Sequence, residues 1–176
     1  YVITGDRAVD SFSAAGMRGL SRVLNSRTAI EPVEPLPVDL EQDDLSLFPL
    51  IYWPITETQP TPSAEASARL NEFMRNGGML MIDTRDAHLA GPGRPGPNSQ
   101  ALRRLGANLD LPPLAPVHEN HVLTRTFYLL DRFPGRWQGG QVWLEEDRAL
   151  INEEDAPDQL ISDPNDGVSP VVIGSA

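Results

Sequence analysis

The chain has 176 residues, 40% of them hydrophobic, which is enough to bury a core and predicts a single domain over residues 1–176. Its formal charge is -11 and its 14 basic residues are all arginine, scattered without a basic run, which argues against a nucleic-acid surface built on counterion release. With no cysteine and no lysine, a thiol nucleophile, a cysteine zinc site, a Schiff-base lysine, a phosphate-loop lysine and any disulfide are excluded within the chain.

The first four residues, Tyr1 to Thr4, read as a strand that ends at Gly5-Asp6. Apolar residues at Val9, Phe12, Gly16, Leu20, Val23 and Leu24 then recur at threes and fours, which predicts an amphipathic helix. Ala29 to Val38 alternates in polarity but carries Pro32, Pro35 and Pro37; missing ladder donors confine it to a sheet edge. The run LFPLIYWPI, Leu47 to Ile55, predicts a strand covered on both faces, followed by Thr56-Glu57.

Ser63 is placed to cap the next helix, whose residues Ala66, Leu70, Phe73 and Met74 share a face, and Gly77-Gly78 supplies a left-handed stop before a buried strand, Met79 to Ile82. Beyond a Gly/Pro loop, Leu102, Leu105 and Leu109 mark a helix over Ala101 to Leu109, closed by Pro112-Pro113. Further strands are expected near Val122 to Leu130, at Gln141 to Leu144 and at Val171 to Ile173, with an acidic loop from Glu145 to Asp166. Strands alternating with helices predict an α/β fold: a doubly wound, mainly parallel sheet with helices on both faces, flavodoxin-like in kind.

In such sheets ligands bind outside the carboxyl ends of the strands. That rule selects Gly5-Asp6, Thr56-Glu57 and, richest in chemistry, Asp83-Thr84-Arg85-Asp86. Two carboxylates can do acid/base work or hold a hard cation, and the guanidinium can clamp an anion; the structural alternative is that the aspartates cap the loop and Arg85 pairs with one of them. Asp83-Thr84 also stands where a nucleophile elbow would, but without the Gly-x-Ser/Cys-x-Gly frame and without an adjacent base.

The histidines are His88, His118 and His121, the last two in HENH. Their spacing suits metal ligands on a helix, but the upstream Pro112, Pro113 and Pro116 favour an extended loop with ordinary hydrogen-bonding histidines, so no metal or other cofactor is assigned. His121 and Arg125, leading into HVLTRTFYLL, join the expected ligand site if that segment returns to the ligand edge of the sheet. Gly91-Pro92-Gly93 and Gly96 follow a polar segment and open no helix among them, so they do not form a dinucleotide loop. Trp53, Trp137, Trp143 and Phe127-Tyr128 read as packing residues.

No stretch approaches the roughly 20 apolar residues that span a bilayer. Because the chain starts at Tyr1 inside an apolar run, without an initiator methionine, and ends just after another such run, it is expected to be a piece of a longer protein.

The segments YVITGD, LFPLIYWPIT, NGGMLMIDTRD, HVLTRTFYLLDRFPGRW and DGVSPVVIGS together resemble a bacterial domain of unknown function. That domain sits at the C-terminal end of membrane proteins that begin with a BatA-like, aerotolerance-type double-transmembrane module. The resemblance implies a fold similar to class I glutamine amidotransferases and a membrane-anchored parent, with a weak implication of the cytoplasmic face of the inner membrane, and it carries no catalytic role onto any residue here. The Cys-His-Glu triad of those enzymes cannot be built in a chain without cysteine.

The leading expectation is therefore a non-catalytic module that binds a small ligand or a protein partner, with Asp6, Asp83, Thr84, Arg85, Asp86, His121 and Arg125 at the site. One rival is a hydrolase using Asp83 or Asp86 with His121, metal-assisted or not. Another is an assembly domain with an exposed apolar patch around Trp53 or Trp137.

Overall fold

A computed structural model describes residues 1–89, 96–117, 141–146 and 169–175. Asp6 starts the first helix, α1 (Arg7–Arg27): its Oδ1 accepts from the backbone N–H of Ala8 at 2.9 Å and of Val9 at 3.3 Å, satisfying donors that the first turn leaves unpaired. Asp10, in that turn, accepts from both the N–H (2.9 Å) and the hydroxyl (2.8 Å) of Thr4, which ties the helix to the extended segment before it.

A single 3-10 turn over Leu45–Leu47 precedes strand β1 (Leu50–Pro54). Helix α2 (Ala64–Arg75) is capped as its sequence predicts, the Ser63 hydroxyl accepting from Ala66 N–H at 3.0 Å. Gly77, at φ 87°, makes the left-handed stop before β2 (Met79–Asp83). Helix α3 (Pro97–Leu105) and strands β3 (Leu114–Pro116), β4 (Trp143–Glu145) and β5 (Val171–Gly174) complete the described elements.

The strands form one open sheet in the order β1-β2-β5-β4-β3. β1 with β2 and β2 with β5 are parallel; β4 runs antiparallel to both β5 and β3. The sheet is thus mixed, not mainly parallel, because its far edge is an antiparallel pair. On the other edge Val2 N–H donates to Tyr52 O at 2.8 Å and Ile3 N–H to Val38 O at 2.9 Å, so the first residues lie between β1 and Val38. Only one bridge, Val2 with Val38, forms there. The expected Tyr1 to Thr4 strand and the proline-bearing edge strand shrink to that bridge, since three prolines between Ala29 and Val38 have no N–H to donate.

Other boundaries shift for local reasons. Leu47 to Pro49 lie outside β1, and α3 begins before Ala101 because Pro97 suits a first helical turn and rules out a later one. β3, which ends in proline, was not foreseen, and Glu145 closes β4 where the acidic loop was expected to begin. The segment Val122 to Leu130, with Phe127, Tyr128 and Trp137, and the Gly91-Pro92-Gly93 stretch lie outside the described residues, as does the acidic loop from residue 147 onward.

Parallel register sets Tyr52 beside Met81 and Trp53 beside Ile82, so alternate residues face opposite sides. On one side Ile51, Trp53, Leu80 and Ile82, each at most 1% exposed, pack with Leu70 and Phe73 of α2 and Leu105 of α3. Full burial of each such side chain is worth about 1.5–3 kcal/mol, so this face contributes strongly to stability. Trp53 is core and offers no exposed patch; Trp143 is 37% exposed at the antiparallel edge. On the other side lies α1, of which only Val9, Ser13 and Ala14 are buried while Phe12 is 74% exposed. Among the described residues no helix is long and apolar enough to cross a membrane.

Candidate functional site

The last residue of β2 is Asp83, flanked in register by Pro54 of β1 and Gly174 of β5, at the carboxyl end of the parallel part of the sheet. It is 4% exposed. Its Oδ2 accepts from the Tyr52 hydroxyl at 2.6 Å and its Oδ1 from Arg85 N–H at 2.9 Å, bonds that a carboxylate this deep requires. Burial, then the hydrogen bond and charge of Asp83, push the Tyr52 phenol well above the ordinary tyrosine range, with Arg85 opposing. Tyr52 is therefore a neutral donor fixed on Asp83 across physiological pH.

Arg85 has φ 59°, the only positive φ among the described non-glycine residues. Such a backbone is uncommon for an arginine and is held by the Asp83 carboxylate on its N–H two residues on, an Asx-type turn. The partly buried guanidinium lines the space over the sheet and has no ion-pair partner among the described residues.

Thr84 and Asp86 do different work. Thr84 N–H (2.8 Å) and Oγ1 (3.2 Å) both donate to Gly174 O, and Thr84 O accepts from Asn98 Nδ2 at 2.7 Å. Asp86, 2% exposed, accepts from Ser99 N–H at 2.9 Å and from Ser99 Oγ at 3.1 Å. It caps α3 from outside, since the residue at the cap position is Gly96, where a Cβ would overlap the Asp86 carboxylate. Ala87 N–H donates to Ser175 Oγ at 2.8 Å. The tetrad thus divides: Asp83 and Arg85 front the open space, while Thr84 and Asp86 lock the loop onto β5 and α3.

That space is a groove of about 530 Å³ between α1 and the sheet. Val9, Phe12, Gly16, Met17 and Leu20 of α1 form one wall; Tyr52, Met81, Asp83, Arg85 and His88 line it opposite. Its size is that of a small-molecule site, with apolar residues along α1 interrupted by Ser13, and with Asp83, Arg85 and His88 where the strands end. Asp6 is not part of the lining; its carboxylate is spent on the α1 cap. Nor is Thr56-Glu57, whose loop is held by Thr56 N–H on Gln59 Oε1 (3.1 Å) and by Arg104 on the carbonyls of Glu57 (3.2 Å) and Gln59 (2.9 Å).

His118, His121 and Arg125 lie outside the described residues. Among those described, no group of three or more His, Asp or Glu side chains is arranged to hold a metal ion. Tyr52, Met81 and the α1 wall escaped sequence reading, although the signal was partly there. Tyr52 and Met81 have the opposite parity to Trp53 and Ile82 in their runs, but only the β1/β2 register sets them side by side. His88, exposed at the groove, was legible as a histidine just past a strand end.

The whole chain, residues 1–176, matches the family model described as Domain of unknown function (DUF4159), and the chain belongs to that family. No curated protein matches it.

Proposed function

We propose that this member of the DUF4159 family is a ligand-binding module, without catalysis of its own, in a membrane-anchored bacterial protein. The observation that carries the reading is Arg85: a guanidinium held at a positive φ at the carboxyl end of a central parallel strand, in an open groove, without an ion-pair partner among the described residues. Strained backbone persists only where its surroundings enforce it, and it gathers at binding and catalytic sites. In amidotransferase- and hydrolase-like folds a strained turn after a strand presents the nucleophile. Here the turn presents a group that binds anions and cannot attack a carbonyl.

Counting the bridged segments at Val2 and Val38, the sheet begins in the order 2-1-3-4, as a flavodoxin-like sheet does, with β5 next and the antiparallel β4 and β3 beyond it; the shared 2-1-3-4 part supports the amidotransferase-like assignment as well. The same proposal puts the domain beside the inner membrane, on its cytoplasmic face, and rests there on the resemblance to the C-terminal domains of BatA-like proteins. A hydrolase reading draws on one observation, that the His88 ring and the Asp83 carboxylate line the same groove. Against it, the Asp83 oxygens accept from Tyr52 and Arg85, and Asp86 is occupied by Ser99.

The test is a thermal-shift screen of the domain against amino acids, nucleotides, organic acids and metals, run in parallel on Arg85→Gln. Ligand stabilisation reaches about 2.7 kcal/mol at a hundredfold excess over the dissociation constant, so real binding is visible. Hits that vanish in Arg85→Gln are expected. Silence across the panel would sink the small-ligand reading, and ester hydrolysis abolished by His88→Ala would replace it with the rival.

A further inference from the structure

The chemistry of the groove narrows what it takes. We infer that its ligand is a small amphipathic monocarboxylate: an elongated apolar body laid along α1 and Met81, with its carboxylate on Arg85. The inference rests on the binding role proposed above and adds the ligand class.

The head is argued from the donors present. One planar guanidinium matches one carboxylate through two parallel hydrogen bonds. A phosphate is usually met by several donors, such as a helix N-terminus, a glycine-rich nest or a lysine, whereas among the described residues Arg85 is the one arginine that lines the groove, in a chain with no lysine. The nearby Asp83 does not cancel this offer: it is 4% exposed, and its oxygens accept from Tyr52 and Arg85 N–H.

The body is argued from the wall. Val9, Phe12, Gly16 and Leu20 run along one stripe of α1, roughly 16 Å from end to end at 1.5 Å per residue, which suits a chain better than a compact ring. Phe12 and Met81 stay 74% and 37% exposed over that length, apolar surface that a ligand would cover. Gly16 is the second, independent sign. Glycine in a helix interior is disfavoured against alanine, yet a Cβ at Gly16 would meet nothing within 4 Å. Packing does not demand glycine there; a side chain would instead enter the groove.

The experiment titrates the domain calorimetrically with octanoate, octanamide and acetate, for the wild type, Arg85→Gln, Gly16→Leu and Gly19→Ala. Gly19 shares the helix and the open surroundings but is outside the lining, so Gly19→Ala controls for changes in helix stability. Octanoate is expected to bind, with octanamide and acetate each weaker by about tenfold or more, the scale of one charge-assisted hydrogen-bond pair or several buried methylenes. Arg85→Gln should lose the preference for octanoate over octanamide, Gly16→Leu should lose both, and Gly19→Ala should match the wild type. Equal binding of octanoate and octanamide, or of octanoate and acetate, overturns the ligand class while leaving a groove that binds. No binding of octanoate, with other hits from the screen abolished by Gly16→Leu, does the same. Undiminished octanoate binding by a folded Gly16→Leu removes the groove as the site, and the binding role assigned to it fails as well.

Discussion

At Arg85 two demands meet in one residue. A side chain with a Cβ at φ 59° carries a steric penalty of about 1–2 kcal/mol that glycine escapes. The Asp83 carboxylate on its N–H offsets part of that, and the backbone so held delivers the guanidinium to the groove. Arg85→Gly should therefore be more stable than Arg85→Ala by about 1 kcal/mol in urea denaturation, while both lose the anion partner. Equal stabilities would mean that the turn stores no strain, and the functional argument from it would weaken accordingly. That an arginine sits after Asp83-Thr84 was legible in the sequence; its positive φ was not. Nothing in the residue type prefers that conformation, which the neighbouring Asp83 and the anchoring of Thr84 on Gly174 impose.

α3 shows how an element borrows its start from elsewhere. Its cap position holds Gly96, which has no side chain to cap with, and Asp86 accepts from Ser99 N–H in its place while filling the space where a Cβ at Gly96 would stand. Asp86→Ala should destabilise the domain by about 1–2 kcal/mol, the usual worth of an N-cap side chain. Gly96→Ala should be destabilising in the wild type but nearly silent on the Asp86→Ala background, where the obstructing carboxylate is gone. A double-mutant cycle by chemical denaturation reads that coupling, and strictly additive effects would show that carboxylate and glycine do not share the space. The helix itself was predictable from Leu102 and Leu105, but its true beginning was not, because the capping residue lies ten positions upstream of Gly96 and across a loop. α2 was easier: Ser63 caps its own helix, so periodicity and cap stood next to each other in the chain, whereas Asp6, read from sequence as a ligand residue, caps α1.

At the scale of the whole molecule the formal charge is -11. Among the described residues the ion pairs are Arg18 with Glu34 and Arg75 with Asp110, both exposed and so worth little. At this net charge self-repulsion is expected to dominate, so the melting temperature at neutral pH should rise as sodium chloride screens it. A fall with salt would reveal attractive networks stronger than these two pairs. The hydrophobic runs by themselves determined the α/β class and the existence of the buried strands within Leu47 to Ile55, at Met79 to Ile82 and at Val171 to Ile173, and they put Asp83 to Asp86 at a strand end, because periodicity, caps and strand ends are properties of neighbouring residues. Tertiary structure alone decided the antiparallel edge, the split of that loop into Asp83 with Arg85 and Thr84 with Asp86, and the meeting of Tyr52, Met81 and the α1 stripe around one groove. Those depend on which strands lie side by side and in what register, and residues 31 positions apart, such as Tyr52 and Asp83, carry no mark of their pairing until the sheet has formed.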